Sequence, residues 1–303
     1  MPAKKQQERV GTLRVGTVAL VGRPNVGKST LLNVVLGEKI AIVSPHPQTT
    51  RQRLLGVYND AHSQIVFVDT PGMHAPRHRL GVRMQNEAKE ALRDADVVLV
   101  VADARTEPDL ELLRDVPKGA LLALNKVDLV EPKPRLLPRL EAWTKAHDFG
   151  AIVPISAKTK SGIKQLLSEL RERLHEGDPL FDRETLTDKP IRYLVAEFVR
   201  EQVLMRTRQE VPHGIAVTVD RYEEDPKRGP KIALTVHVAK ESHKKIVVGR
   251  GGAVLKAVGI AARREVERLL QTRAHLSIWV RVTPDWVDDP KALGELGFDT
   301  ETT

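Results

Sequence analysis

The sequence predicts an α/β protein in which a mainly parallel sheet, with helices on both faces, precedes a smaller α+β domain. Up to about residue 175, short apolar runs alternate with amphipathic stretches, and beyond residue 190 strands of alternating apolar and polar residues appear. Short continuous apolar runs are typical of strands buried on both faces, and helical stretches between them favour a parallel sheet. The predicted strands of the first domain are 18–21, 65–68, 97–101, 121–124 and 152–155.

The last helix of the first domain is predicted over 163–174, where apolar residues recur on one face of a 3.6-residue period. We expect Ser161 to cap the N-terminus of this helix, because its hydroxyl can accept a hydrogen bond from the first turn. Gly177 and Pro179 follow the last apolar position and are expected to end the helix.

The boundary between the two domains is predicted in an acidic segment with two prolines and a glycine, which breaks the periodicity. We assign residues 1–178 to the first domain, 179–190 to a linker, and 191–303 to the second domain with its C-terminal tail. The second domain is expected to be a small α+β unit with a three-stranded sheet. Its predicted elements are a helix at 191–206, strands at 215–219, 232–238 and 276–282, and a helix at 255–269.

The composition excludes several classes of protein. The chain has no cysteine, so disulfide frameworks, thiolate zinc sites and cysteine nucleophiles are excluded. Its longest apolar run, 97–102, is too short to cross a bilayer, and its N-terminal segment is polar. We therefore expect a protein without a signal peptide or a membrane span.

The positive charge of the chain is concentrated in the second domain. The formal net charge is +8, and the segment 231–281 contains eleven Lys and Arg residues against three Glu. A basic segment of this kind favours a polyanionic partner, either nucleic acid or an anionic lipid surface.

A phosphate-binding loop is predicted at 22–30, where the sequence GRPNVGKST satisfies the pattern GxxxxGK[ST] between a strand and a helix. The glycines let backbone N–H groups turn toward phosphates, the Lys28 ammonium reaches the β- and γ-phosphates, and the Ser29 hydroxyl can ligate Mg²⁺. An ordinary glycine turn is the alternative. The candidate phosphate-binding residues are Gly22, Asn25, Val26, Gly27, Lys28, Ser29 and Thr30, joined by Gly72 from a later loop.

A second phosphate element follows the strand predicted at 65–68, where residues 69–72 read Asp-Thr-Pro-Gly. The Asp69 carboxylate can hold Mg²⁺ through a water molecule, and the backbone N–H of Gly72 can meet the γ-phosphate. An aspartate at a strand end is by itself usually a turn former. Here it is expected at the sheet edge where open α/β folds bind ligands, beside the phosphate-binding loop.

A guanine site is predicted after the strand 121–124, where the chain reads Asn-Lys-Val-Asp. The Asp128 carboxylate can accept hydrogen bonds from the N1–H and exocyclic amine of guanine, a pair that adenine lacks. The alternative is an aspartate that caps a helix. The backbone N–H of Ala157 would reach the guanine oxygen. The candidate guanine-binding residues are Asn125, Lys126 and Asp128, with Ser156, Ala157 and Lys158 after the next strand.

Four motifs, at 22–30, 69–72, 125–128 and 156–158, lie in this order at the ends of predicted strands. They resemble those of the TRAFAC-class translation-factor-like GTPases. Residues 47–51 read Pro-Gln-Thr-Thr-Arg, which is similar to the switch I motif of the Era-like subfamily. The resemblance implies a Ras-like P-loop GTPase fold, with Mg²⁺ held by Ser29, Thr50 and, through water, Asp69. Thr49 is the alternative to Thr50. The residues expected to respond to the nucleotide are Thr49, Thr50, Asp69, Thr70, Pro71, Gly72 and Met73.

The residue after Gly72 is Met73, where Ras-like GTPases carry the glutamine that orients the attacking water. An apolar side chain cannot orient water, so we expect slow intrinsic GTP hydrolysis, with Lys28, Thr50 and Gly72 as catalytic groups. Asn25 matches the asparagine with which related GTPases hold K⁺ beside the phosphates. The resemblance therefore implies GTP and GDP as ligands, with Mg²⁺ and K⁺ as the accompanying ions.

The second domain contains a GxxG motif at 249–252 with cations on both sides. This motif, within the order of helix, two strands, two helices and strand, is similar to a type II KH domain, whose GxxG loop admits a nucleic-acid backbone. The alternative is a glycine-rich connection between two helices. Aromatic stacking partners are scarce, and the alternation leaves the exposed or buried side of Trp279 open. The candidate RNA-binding residues are Lys244, Lys245, Gly249, Arg250, Gly251, Gly252 and Lys256.

A GTPase domain followed by one KH domain resembles the Era-like GTPases over nearly the whole chain. The resemblance implies a protein that binds the 3′ end of 16S rRNA in a nucleotide-dependent way and assists maturation of the 30S ribosomal subunit. GTP and RNA would each raise the affinity for the other. A monomer in the cytoplasm, with peripheral contact to the inner membrane, is also implied. The alternative is a GTP-regulated peripheral membrane or protein-interaction switch whose basic domain does not read RNA.

Overall fold

The first domain is built on one sheet, and the computed structural model describes residues 13–46, 49–73, 78–207 and 214–298 of the chain. The strands are β1 (Leu13–Val21), β2 (Leu54–Asn59), β3 (Ser63–Asp69), β4 (Val97–Asp103), β5 (Leu121–Asn125), β6 (Ala151–Pro154) and β7 (His175–Gly177). Their order is β2-β3-β1-β4-β5-β6, with β7 beside the start of β1. Neighbours from β3 to β6 run parallel, whereas β2 and β7 are antiparallel to their partners. The predicted mainly parallel sheet is confirmed.

Helices cover both faces of this sheet. They are α1 (Lys28–Leu36), α2 (Arg79–Asp94), α3 (Leu110–Leu113), α4 (Leu136–Ala146) and α5 (Ile163–Arg171). Val18 and Leu20 of β1 pack on the face covered by α1 and α5, while Ala19 and Val21 pack on the face covered by α2, α3 and α4. Every residue of β3 and β4 is buried. Burial on two faces explains why these strands are continuous apolar runs in the sequence.

The last helix of the first domain starts at Ile163 as predicted, but the predicted N-cap residue is wrong. Helix α5 starts at Ile163 after Gly162, whose φ of 74° lies in the left-handed region that favours glycine. Ser161 is therefore not the cap. Its backbone is instead engaged in an isolated bridge, in which the N–H of Ser156 donates to the Ser161 carbonyl at 3.0 Å.

The same helix also ends earlier than predicted. Helix α5 ends at Arg171, well before Gly177 and Pro179. The intervening residues His175–Gly177 form β7 and pair with the start of β1. Pairing with β1 satisfies backbone groups of β7 that a continuing helix would have bonded within itself. The Gly177 and Pro179 signals therefore mark the end of a short strand.

The segment predicted as a linker, 179–190, lies along the edge of the first sheet. The side-chain oxygen of Gln64 accepts hydrogen bonds from the backbone N–H groups of Leu180 and Phe181, at 2.6 and 3.0 Å. Farther along, the N–H of Val57 in β2 donates to the Leu186 carbonyl at 2.9 Å. The segment thus covers the outer edge of β2, which would otherwise offer unpaired backbone groups.

The second domain has the helix and strand order predicted for a type II KH fold. Its elements are α6 (Ile191–Arg206), β8 (Ile215–Glu223), β9 (Lys231–Val238), α7 (Glu241–Val248), α8 (Ala253–Leu270), β10 (His275–Val282) and α9 (Pro290–Glu295). Strand β9 lies between β8, antiparallel to it, and β10, parallel to it. Trp279 of β10 is 56% exposed, which settles its orientation. Within the ranges that the structure describes, no helix combines the length and apolarity needed to span a membrane.

The described part of the C-terminal tail packs between the two domains. Trp286 is fully buried and stacks on Phe298, with 5.5 Å between the ring centroids. Both rings belong to a cluster with Leu80 and Met84 of α2 and Ala216 of β8. The tail therefore joins the helix that follows the Asp-Thr-Pro-Gly loop to the sheet of the second domain.

Candidate functional site

The phosphate-binding loop connects β1 to α1 and lines a cavity of about 400 Å³. Gly22 and Gly27 have φ of 153° and 105°. A Cβ atom at Gly22 would lie 2.3 Å from the Val101 carbonyl oxygen, and one at Gly27 would lie 2.3 Å from Asn125 Nδ2. Helix α1 starts at Lys28, so its unpaired N–H groups face the cavity. The predicted residues that line this cavity are Asn25, Gly27, Lys28, Ser29, Thr30, Thr49, Thr50, Gly72 and Lys126.

The Lys28 ammonium is buried inside this loop. Its Nζ donates to the carbonyl oxygens of Gly22 and Arg23, at 3.0 and 3.2 Å. Burial lowers the pKa of Lys28 to about 8, against the attraction of the Asp69 carboxylate. A phosphate group would stabilise the ammonium, because an adjacent negative charge offsets the lost hydration.

Three oxygen-bearing side chains converge at the predicted Mg²⁺ position. The Ser29 hydroxyl donates to Asp69 Oδ2 at 2.7 Å, and the Thr50 hydroxyl lies 2.9 Å from Ser29 Oγ. The Thr50 hydroxyl also donates to Asp69 Oδ2 at 3.3 Å. Asp69 Oδ1 is buried, and no residue that the structure describes forms a hydrogen bond with it. Because Mg²⁺ prefers hard oxygen ligands, this donor set fits the ion.

The structure distinguishes Thr50 from its neighbour Thr49. The Thr49 hydroxyl donates to the His46 carbonyl at 2.8 Å and lies 2.9 Å from Ser44 Oγ. It therefore stabilises the loop that precedes it, whereas the Thr50 hydroxyl faces Ser29 and Asp69. Residue type could not separate two adjacent threonines, so the direction of each side chain had to come from the fold.

The loop after β3 is held against the phosphate-binding loop. Thr70 and Pro71 are buried, and the Thr70 hydroxyl donates to the carbonyl of Leu20 at 2.7 Å. A Cβ atom on Gly72 would lie 2.9 Å from Pro24, so glycine lets the two loops approach. Met73 is 6% exposed and packs in the hydrophobic core. Its side chain is therefore in no position to orient a water molecule.

Asn125 and Lys126 form hydrogen bonds that connect the loops after β5 and β6 to the phosphate-binding loop. Asn125 Nδ2 donates to the Val26 carbonyl at 2.8 Å, and Asn125 Oδ1 accepts from the N–H of Ala157 at 3.0 Å. Lys126 Nζ donates to the carbonyl of Asn25 at 2.5 Å. Val26, predicted for phosphate binding, has its side chain in the core and contributes this carbonyl. The two motifs therefore form one connected site.

The Asp128 carboxylate is the group predicted to select guanine. It lies in the 3₁₀ turn Val127–Leu129, and the residue at the N-cap position of that turn is Lys126 rather than Asp128. Asp128 Oδ1 is buried without a hydrogen bond to any residue in the described ranges. Two N–H donors on one edge of guanine would satisfy this oxygen and its partner.

The residues after β6 complete this side of the site through hydrogen bonds within the protein. The N–H of Ala157, expected to donate to guanine, donates to Asn125 Oδ1, because that oxygen is the acceptor placed beside it. The Ser156 hydroxyl accepts from the N–H of Thr159 at 3.1 Å, and Lys158 is exposed. Contact between Ala157 and guanine stays a prediction.

The GxxG loop joins α7 to α8 through residues with positive φ. Gly249, Gly251 and Gly252 have φ of 74°, 57° and 79°. A Cβ atom on Gly251 or Gly252 would meet nothing within 4 Å, so open space lies beside the backbone there. A nucleic-acid backbone needs such space for close approach. The neighbouring predicted cations are exposed at Lys245, Arg250 and Lys256 and half-buried at Lys244.

A groove of about 500 Å³ extends from this loop between α8 and β10. Leu255 and Ile278 offer apolar surface in it, and Arg263 adds a cation. These residues had no motif to identify them. The available signal was the small Gly259 of α8, which also lines the groove.

Helix α6 of the second domain also reaches the nucleotide cavity. Met205 lines that cavity, together with Ile42 and Val43 from the segment that follows α1. Sequence reasoning missed these residues, because an apolar side chain in a helix or a loop carries no motif. Their role follows from the way in which the two domains pack.

Each domain matches a known family. Residues 17–126 match the family described as 50S ribosome-binding GTPase, and residues 210–287 match the KH domain family. The GTPase Era of Ruminiclostridium cellulolyticum is 42% identical over 291 residues, which cover 94% of this chain and 97% of that protein. The GTPase Era of Trichlorobacter lovleyi is 43% identical over 292 residues, covering 95% and 99%.

Solved structures show the same two-domain arrangement. The crystal structure of Era in complex with MgGDPNP and nucleotides 1506–1542 of 16S ribosomal RNA has a TM-score of 0.90 and 38% identity, covering 94% of this chain and 99% of that one. A variant of Aquifex aeolicus Era bound to GDP·AlF4⁻ has a TM-score of 0.89 and 38% identity, with the same coverage. On these similarities and on the geometry of both sites, this chain belongs to the Era family of GTPases.

Proposed function

We propose that this protein hydrolyses GTP and uses its nucleotide state to control binding to the 3′ end of 16S rRNA during maturation of the 30S subunit. One observation carries the proposal: a nucleotide cavity and a GxxG groove occur in one chain, and helix α6 of the RNA-binding domain lines the cavity through Met205. The relatives named Era and the complex of Era with 16S rRNA nucleotides support it.

GTP would be held mainly by the phosphate-binding loop. Backbone N–H groups and the Lys28 ammonium would neutralise the phosphates, and the N–H of Gly72 would face the γ-phosphate. Ser29 and Thr50 would ligate Mg²⁺ directly, with Asp69 acting through water. The ion would supply positive charge to the oxygens that gain negative charge during hydrolysis. Because Met73 is buried in the core, we expect slow intrinsic hydrolysis.

Potassium is proposed as a further source of positive charge. The backbone of Asn25 is in the left-handed conformation, with φ of 62°. The side-chain Nδ2 of Asn25 donates to the Pro45 carbonyl at 2.8 Å. This contact brings switch I carbonyl groups next to an amide side chain at the rim of the phosphate site. Carbonyl and amide oxygens are the neutral ligands that suit a large monovalent cation.

RNA would bind along the groove beside the GxxG loop. Its backbone would approach Gly251 and Gly252, with Arg250 and Lys256 near the phosphates, while bases contact the apolar wall of α8 and β10. Trp279 is exposed, but stacking on it is not required by this arrangement. The basic segment also fits peripheral contact with anionic lipid, and we propose a cytoplasmic monomer that touches the inner membrane in this way.

The RNA proposal can be tested by binding the full chain to a single-stranded RNA that carries the 3′ end of 16S rRNA. We expect tighter binding with a GTP analogue than with GDP, and weaker binding of a scrambled RNA. The double variant R250D/G251D should abolish binding, whereas R221D, which changes an exposed cation on β8, should bind like the wild type. Equal, salt-sensitive binding of every RNA in both nucleotide states would favour the membrane or protein-partner alternative.

A further inference from the structure

We propose that Arg200 and Glu201, two adjacent residues of α6, are positioning residues for switch I and hold Thr50 at the metal site. Both belong to the second domain, whereas the reaction takes place in the first. This inference rests on the proposed GTPase function and assigns to the RNA-binding domain a part in assembling the hydrolytic site. Switch I here denotes residues 43–51, which end with the Pro-Gln-Thr-Thr-Arg motif.

Glu201 holds the start of switch I. Its Oε1 accepts a hydrogen bond from the backbone N–H of Val43 at 2.8 Å. Its Oε2 forms an ion pair with Lys39 Nζ at 2.5 Å, and Lys39 also lies 3.7 Å from Glu265 of α8. The Glu201 side chain is 5% exposed, and its Oε2 also accepts from Gln202 Nε2 of the same helix at 3.1 Å, so both carboxylate oxygens have partners.

Arg200 holds the end of switch I. Its Nη2 donates to the carbonyl oxygen of Thr49, the residue directly before Thr50. Its guanidinium is oriented by Glu197, one turn earlier in α6, through hydrogen bonds of 2.7 Å from Nε and 2.6 Å from Nη2. Because Arg200 is 2% exposed, little water competes for the Thr49 carbonyl.

The peptide on the other side of Thr50 is also tied to the second domain. Arg51 is 4% exposed, and its Nη1 donates to the Ile215 carbonyl at the start of β8. The guanidinium of Arg51 also lies over the ring of Trp286, 5.6 Å from its centroid. Thr50 is thus flanked by two residues whose positions depend on how the second domain is docked. Its hydroxyl then falls within 2.9 Å of Ser29 Oγ.

These contacts differ from an ordinary domain interface. Arg200 and Glu201 form hydrogen bonds with backbone groups of switch I itself, rather than with a strand of the sheet or a helix packed on it. A loop held at Val43 and Thr49 has fewer conformations to lose when Thr50 meets the metal. Since misplacement of a catalytic group by about 1 Å can cost a hundredfold in rate, this restraint bears directly on hydrolysis.

The test compares full-length variants in GTP hydrolysis and in the Mg²⁺ concentration required to bind a GTP analogue. We expect R200K, which loses the planar fork, to hydrolyse GTP about tenfold more slowly and to need more Mg²⁺. GDP affinity should stay within about twofold, because GDP binding does not depend on the switch I threonine. R192K, which changes an exposed arginine at the start of the same helix, is the matched control and should behave like the wild type.

A second pair of variants guards against loss of folding. E201A removes the acceptor for the Val43 N–H and should raise the Mg²⁺ requirement, whereas E201Q keeps an acceptor oxygen and should restore most of the wild-type behaviour.

In a T50A background, R200K should have no further effect, because its contribution acts through Thr50.

Wild-type hydrolysis and Mg²⁺ dependence in both R200K and E201A would overturn the positioning role, as would an R200K effect of equal size in the T50A background. A wild-type protein that binds GTP without hydrolysing it would contradict the proposed function instead. The Mg²⁺ requirement for analogue binding would still decide the positioning role, since that measurement needs no turnover.

Discussion

Asn125 Nδ2 lies 2.8 Å from the carbonyl oxygen of Val26, so the first residue of the guanine motif is a structural tie to the phosphate-binding loop. Its Oδ1 accepts from the N–H of Ala157 at 3.0 Å, and the side chain is buried. One amide therefore holds three loops in register, and the base pocket and the phosphate pocket depend on the same hydrogen bonds.

Replacement of Asn125 by alanine should weaken GDP and GTP binding together. The change leaves the Val26 carbonyl and the Ala157 N–H without their partners, which costs about 1–3 kcal/mol for each buried group left unsatisfied. Titration calorimetry with both nucleotides checks this. A variant that loses guanine selectivity but keeps its overall affinity would instead show that Asn125 acts on the base directly.

Replacement of Asp128 by asparagine should move the nucleotide preference from guanine toward xanthine. The carboxylate accepts two hydrogen bonds, whereas an amide presents a donor that suits the oxygen of xanthine. We expect GTP affinity to fall about a hundredfold or more and XTP affinity to rise, as measured by competition against a labelled nucleotide. Unchanged GTP affinity would remove Asp128 from the base pocket.

Replacement of Trp286 by alanine should destabilise the protein by about 3–5 kcal/mol, because a large buried ring is lost from the cluster between α2 and β8. Trp279 is the matched control. Since its side chain is 56% exposed, W279A should change the free energy of unfolding by less than about 1 kcal/mol. Urea unfolding measures both. Equal losses in the two variants would contradict the tail packing described above.

Nucleotide binding should take up a proton at alkaline pH. In the free protein, burial lowers the pKa of Lys28 to about 8, and phosphates beside the ammonium would raise it again. Between these two pKa values the complex holds one proton more than the free protein, so affinity should fall as the pH rises above 8.

Calorimetry at pH 9 in two buffers of different ionisation enthalpy would reveal that proton as a difference in the observed heat. At pH 7 the difference should be much smaller, since Lys28 is mostly protonated in both states. Equal differences at the two pH values would exclude Lys28 as the titrating group.

Exchange of K⁺ for Na⁺ should slow hydrolysis several-fold in the wild type. An N25A variant should hydrolyse at the same low rate in both salts, because the amide oxygen that would hold the cation is gone. Single-turnover assays at constant ionic strength separate this effect from general salt screening. A wild-type rate that is the same in both salts would leave Asn25 as a structural contact to Pro45.

Much of the nucleotide site could be predicted from the sequence. The phosphate-binding loop is contiguous, and its glycines and Lys28 carry the chemistry within a few residues. Asp69 and Asp128 follow apolar runs, and the ends of parallel strands meet at one sheet edge. The N-cap and the C-terminal end of α5 could not be predicted in the same way, since Ser161 pairs with Ser156 in a local bridge and Gly177 pairs with Leu13 at the start of β1.

The sequence by itself determined the two domain types, the order of the motifs along the chain and the residues that carry charge or a hydroxyl group. These follow from periodicity and from short motifs, in which the interacting groups are close in the chain. The tertiary structure decided which of Thr49 and Thr50 faces the metal site, where Trp286 packs, and that Arg200 and Glu201 hold switch I. The direction of Thr50 depends on contacts with Ser29 and Asp69, which are 21 and 19 residues away. The contacts of Arg200 and Glu201 with switch I join residues 151 and 158 apart. Local pattern carries no information about contacts at either separation.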